Sequence, residues 1–159
     1  MAKRRKTKEL SIVDRIPPLG CPFAFDYETE GKGSYKATVI SFTWRNGGDL
    51  HNHAIDLEQE KIDKRLLFSR FDKAPWVAAH NISFDMWVSL QSYGYDPYRL
   101  EGRIHDTMTM VFVLDTERFK SLEDSAALVG EHKDSYKESV KRSRAEFLKY
   151  AEGDSRICY

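Results

Sequence analysis

Only two cysteines occur in the 159 residues, Cys21 and Cys158, at opposite ends of the chain. They lack metal-binding spacing and read as free thiols in a reducing cytoplasm. No apolar run approaches the ~20 residues that a membrane helix requires. The longest candidate, Val111 to Leu114, suits a buried element. The basic N-terminus has no apolar stretch behind it, so it does not read as a secretory signal. Net charge is also missing, with 25 basic residues against 25 acidic ones. There is no internal repeat and no low-complexity tract. What is present is a soluble globular composition, 41% hydrophobic and 31% charged. A chain of this length suits one domain that buries roughly 70% of its unfolded surface.

Residues 1–20 read as a basic tail with a proline-rich lead-in. Lys3, Arg4, Arg5, Lys6 and Lys8 carry no apolar pattern. They form either a solvated tail or an electrostatic tether to nucleic acid. Residues 21–159 are expected to form the domain. Phe23, Phe25 and Tyr27 alternate with Ala24, Asp26 and Glu28, which predicts a strand with two unlike faces. A second strand is expected from Ala37 to Trp44, and Asn46-Gly47-Gly48-Asp49 is a hairpin signal. His53 to Leu57 returns as a third strand. Helical spacing then appears at Ile62, Leu66, Leu67 and Phe71. A buried strand follows at Trp76–His80, and a helix from Phe84 to Tyr93 stops at Gly94. Ile104 marks a fifth strand, and Asp106-Thr107 caps a helix through Leu114. Ser121 to Val129 forms a helix that ends at Gly130, and a last long helix begins near Ser135. The expected class is α/β: a mixed five-stranded sheet, an antiparallel meander first and then strands alternating with helices, flanked by helices.

Four carboxylates stand out from this pattern. Asp26 and Glu28, two apart on a strand, point to one face. At 4 Å and an effective dielectric of 20 they repel by roughly 4 kcal/mol. A divalent cation with hard oxygen ligands compensates for that repulsion; a solvated acidic turn is the bland alternative. Asp85 lies in a first helical turn at the carboxyl end of a strand, a usual place for sites in α/β sheets. Complementing the helix dipole would explain it equally, with Asn81 satisfying turn backbone groups. In the last helix Tyr136, Val140, Ser143, Phe147, Tyr150 and Asp154 recur at intervals of four and three, on one face. Asp154 is thus an inward carboxylate, which needs a metal or a cation, and no cation is obviously reserved for it.

FAFDYETE, HNISFD and YAEGD together resemble the three exonuclease motifs of the DEDD superfamily, in their usual order. Tyr150, four residues before Asp154, marks the DEDDy branch; the sister branch has histidine where this chain has Lys149. VAAHNISFD, IHDTMTMVFVLD and SLEDSAALVG make the chain similar to the proofreading domain of family A DNA polymerases, over about Phe23 to Tyr159. The resemblance implies a ribonuclease-H-like fold and metal-dependent 3′→5′ exonuclease activity on the 3′ end of single-stranded DNA. It implies two Mg²⁺ or Mn²⁺ ions held by Asp26, Glu28, Asp85 and Asp154, with Tyr150 orienting the attacking water. Two such ions generate hydroxide and stabilise the departing 3′ oxygen. Asn81, Phe84 and Tyr27 are the candidate substrate contacts, Phe84 as a stacking or wedge residue. A separate DNA polymerase is an expected partner, in replication proofreading; no membrane is. Zero net charge is compatible with an enzyme that holds a few terminal nucleotides and brings cations to them.

Three features depart from the family pattern. Tyr27 replaces the expected threonine, with its side chain expected to point away from the metals. Gly153 sits inside the last helix at a cost of about 1 kcal/mol relative to alanine, and either loosens Asp154 or permits close substrate approach. The sequence stops soon after Asp154, as a free-standing nuclease, a polymerase subunit or a fragment would, and the helix end is expected to fray. His51-Asn52-His53 follows a Gly-Gly turn and reads as a hairpin loop. Asp106 reads as an N-cap, not as a fifth ligand. His80 is either a substrate contact or a hydrogen-bonded histidine at a strand end. Two rival functions remain: an RNA exonuclease of the ribonuclease D type, and a non-catalytic module that binds nucleic acid or polymerase.

Overall fold

A computed structural model of the protein describes residues 10–31, 33–114, 121–133 and 143–159. Five strands form one sheet in the order β3-β2-β1-β4-β5. These are β1 (Phe23–Thr29), β2 (Ala37–Asn46), β3 (Asp49–Asp56), β4 (Val77–Ala79) and β5 (Ile104–Asp106). The first three pair antiparallel, while β4 runs parallel to β1 and β5 parallel to β4. Gly47 and Gly48, with φ of 61° and 99°, make the two-residue turn that sets Asn46 opposite Asp49. Positive φ at both central positions is what a hairpin matched to strand twist demands. Among the described residues five α-helices accompany the sheet: α1 (Lys64–Lys73), α2 (Ile82–Tyr93), α3 (Thr107–Leu114), α4 (Leu122–Leu128) and α5 (Arg144–Cys158). Among the described residues no helix is long and apolar enough to cross a membrane.

The two faces of the sheet differ as the alternation in β1 requires. Phe23, Phe25 and Tyr27 join Ile40, Phe42, Leu67 and Phe71 in the larger core. Phe71 meets Phe23 and Phe25 edge-on, at ring distances of 5.0 and 4.9 Å. Such pairs add about 1 kcal/mol to the burial of the rings themselves. On the other face the residues are small or polar. Ala24 packs with Ile157 and Cys158, Val39 with Ala151, and the Thr43 and Ser155 hydroxyls lie 3.1 Å apart. Small side chains there let α5 lie close across β1, β2 and β3. That closeness decides where its polar residues end up.

Several expectations need correction. The last helix does not run through Ser143, which is extended at φ −67° and ψ 157° and serves as the N-cap of α5. Its hydroxyl and backbone pair reciprocally with Glu146, a capping box that stops the helix from extending backwards. Tyr136 and Val140 lie outside the described residues, as does the basic cluster from Lys3 to Lys8. His51, Asn52 and His53 belong to β3 and not to a loop, because the ladder runs to the turn and His51 stacks on Trp44 at 5.2 Å. Ordered packing begins before Cys21: Ile16 is in the core, and Arg15 pairs with Glu60. The C-terminal turn is tied down, not frayed. Ile157 and Cys158 are buried, and the Tyr159 hydroxyl accepts a hydrogen bond from the Arg45 backbone N–H at 3.1 Å.

Candidate active site

β1 supplies the first two carboxylates. Asp26 and Glu28 share its small-residue face, opposite Ser41 and Val39 of β2. The α5 backbone crosses that face, and its inward stripe brings Tyr150, Ala151 and Asp154 down onto the sheet. Carboxylate oxygens of Asp26, Glu28 and Asp154 consequently lie within 4.8 Å of one another. Asp85 arrives from the first turn of α2. Its Oδ1 accepts a hydrogen bond from the Tyr27 backbone N–H at 3.0 Å, which anchors it between the two β1 acids. Asp85 and Asp154 are buried.

These acids perturb one another. At 4.8 Å and an effective dielectric of 20, each charged pair among Asp26, Glu28 and Asp154 repels by roughly 3–4 kcal/mol. Burial, then the charges of Asp85, Glu28 and Asp154, holds the Asp26 carboxyl well above the usual carboxylate range. Glu28 is pushed up to about 8 by burial and by Asp154, against a lowering by Lys133. Asp85 also rises to about 8, chiefly through burial, against the Tyr27 N–H that favours its charged form. Burial raises Asp154 as well, although Lys133, Tyr150 and His80 each favour its ionised state. Clustered hard oxygen donors with suppressed ionisation fit a divalent cation such as Mg²⁺ or Mn²⁺, whose charge would offset the repulsion.

Lys133 is the residue that sequence reasoning missed. Its Nζ donates to Asp154 Oδ2 at 2.7 Å, with the two side chains 18% and 7% exposed. The same ammonium lies 5.2 Å from the centre of the Tyr150 ring. Lys133 stands in a loop without periodicity, so no pattern announced it. Tyr150 is hydrogen-bonded to Asp154, and burial followed by the Asp154 charge holds its hydroxyl far above the ordinary tyrosine range.

The remaining candidates are distributed unevenly. The Tyr27 ring is 3% exposed on the opposite face, beside Phe25 and Tyr93, with its hydroxyl accepting from Ser89 Oγ at 3.3 Å. Its side chain is therefore a core group and not a substrate contact; its backbone N–H is what serves the site. Phe84 is half-buried and packs against the larger core, with its ring 5.8 Å from that of Tyr35. Asn81 is exposed at φ 57°, and its amide oxygen accepts from Ser83 Oγ at 3.2 Å. Asp106 caps α3, accepting from the backbone N–H groups of Met108 and Asn81 at 3.0 and 2.9 Å. His80 Nδ1 lies 3.1 Å from the Thr107 hydroxyl. Cys21 and Cys158 are both free thiols. Compared with models of known protein families and with curated proteins, the chain matches none.

Proposed function

We propose that the chain is a 3′→5′ exonuclease that hydrolyses the terminal phosphodiester of single-stranded DNA on a ribonuclease-H-like fold. The observation that carries this reading is the convergence of Asp26, Glu28 and Asp154 within 4.8 Å, on elements far apart in sequence. Asp85, fixed by the Tyr27 N–H, completes the set. A merely structural role would not require these acids to converge, since each adds repulsion that the fold must bear. Asp26, Glu28, Asp85 and Asp154 would hold two divalent cations, which when bound supply positive charge to the attacking water and to the departing 3′ oxygen.

The chain's own residues account for the rest. Tyr150 stays protonated at any physiological pH, so it acts as a hydrogen-bond donor and not as a base. Bonded to Asp154, its hydroxyl is placed to orient a water beside the carboxylates. Lys133, held against Asp154 and the Tyr150 ring, sets the position of both. The N-cap at Ser143 and the docked C-terminal turn keep α5 from shifting along the sheet. Pre-positioning of this kind is the main contribution a protein makes to a displacement at phosphorus.

The test uses 5′-labelled single-stranded DNA and RNA of equal length, with Mg²⁺ or Mn²⁺. Stepwise shortening from the 3′ end, faster on DNA and stopped by EDTA, is the expected result. Comparable or faster trimming of RNA assigns the chain the ribonuclease reading instead. Tight binding without cleavage, unchanged in Asp26→Ala, makes it a binding module.

A further inference from the structure

Gly153 sits one residue before Asp154, inside α5, where glycine favours the helix less than alanine does. Nothing in the packing of the described residues demands it. A Cβ built there meets no atom within 4 Å, and its φ is not positive. The Cβ position of Gly153 faces open space. That space is a cavity of about 200 Å³, floored by Gly153 and reaching Tyr150 and Asp154. Lys149, one turn before Gly153, and Lys133 and His132, on the facing loop, line it too. Among the described residues Lys149 and His132 make no ion pair, whereas Arg156 pairs with Glu131 and Lys133 with Asp154. The wall beside Gly153 is fixed: Asn52 Nδ2 donates to the Glu152 carbonyl at 2.8 Å, and Glu152 Oε1 accepts from the Ala54 N–H at 3.0 Å.

We infer that this cavity seats a phosphate group of the substrate strand, with Gly153 bare so that the phosphate can approach the helix backbone beside Asp154. Its volume falls below the ~300 Å³ of pockets that enclose whole small molecules, which suits a phosphate and not a nucleotide. Lys149 supplies positive charge at the rim. The inference rests on the nuclease reading for the identity of the strand but not for the existence of the anion seat.

Binding of fluorescein-labelled oligothymidylate is measured by anisotropy in EDTA, for the wild type, Gly153→Ala and Lys149→Gln, with melting temperatures recorded alongside. Gly153→Ala is expected to melt higher, because alanine favours the helix, yet to bind about tenfold more weakly, because the methyl group overpacks the seat. Lys149→Gln is expected to weaken binding and to reduce the salt dependence by about one phosphate contact. Inorganic phosphate is then added as competitor. Displacement of the oligonucleotide shows that the seat accepts free phosphate, and resistance shows that it accepts phosphate only within a strand. If Gly153→Ala melts higher and binds as the wild type does, the seat is elsewhere and the inference fails, even where the wild type cleaves DNA. Weakened binding by both variants in a protein that cleaves nothing would uphold the seat and overturn the nuclease reading alone.

Discussion

Asp26→Asn is expected to lower the proposed DNA hydrolysis about 10³-fold or more while raising the melting temperature in EDTA above that of the wild type. The two effects share one cause. Asp26 is the acid most closely coupled to the other three, and its carboxyl is raised by burial, Asp85, Glu28 and Asp154 together. Replacing it with an amide of the same shape removes a charge that the fold must suppress. Stabilisation on the order of 1 kcal/mol is the usual scale for such relief, a few degrees in a domain of this size. On the proposed nuclease reading the same exchange would remove a hard ligand for a cation that would contribute several kcal/mol to the transition state, hence the expected loss of at least three orders of magnitude. Steady-state hydrolysis and thermal melts on the same preparations check both. Lost activity with a lowered melting temperature would indicate a structural Asp26, and retained activity would remove it from the site.

Metal-free protein is expected to become less stable as pH rises from about 5 to about 8. In the unfolded chain these carboxyls titrate near 4, whereas folding moves Glu28 and Asp85 to about 8. Between those values the folded state holds protons that the unfolded state has released, so stability falls with rising pH. A displacement of three units is worth on the order of 4 kcal/mol, and melting should drop by on the order of ten degrees across the window. Asp56 and Glu60 act oppositely. Hydrogen bonds from Arg144 and Arg15 lower their values, so their contribution is lost only as pH falls below about 4. His53, lowered by burial, His51 and Arg15, adds a single opposing contribution below pH 6.5. Because cations bind the ionised acids, Mg²⁺ should raise the melting temperature more at pH 8 than at pH 5. A metal-free melt that climbs between pH 5 and 8, or a pH-independent shift with Mg²⁺, would contradict this.

Much of the site could be read along the chain, because it depends on local periodicity. Alternation in β1 puts Asp26 and Glu28 on one face, and the Phe147, Tyr150 and Asp154 stripe turns the last acid inward. The glycines at 47, 48 and 94 ended elements as their φ values require. What escaped was tertiary or depended on competing local signals. Lys133 reaches Asp154 from a loop with no pattern of its own. The spacing of Tyr136 and Val140 continues the stripe and predicts a longer helix, yet the Ser143–Glu146 capping box wins locally. Fraying of the last turn was expected from its place near the end of the sequence, but Ile157, Cys158 and Tyr159 dock on the sheet. The Tyr27 ring followed the strand's alternation into the core, as its own period dictated.

Binding of Mn²⁺ at pH 8, followed by electron paramagnetic resonance on wild type and Asp26→Asn, is the most direct test of the carboxylate cluster. Loss of the free Mn²⁺ signal with the wild type, and much weaker loss with Asp26→Asn, is the result that four converging acids predict. An unchanged free signal with the wild type, or equal binding by the two proteins, would contradict a metal site at Asp26, Glu28, Asp85 and Asp154.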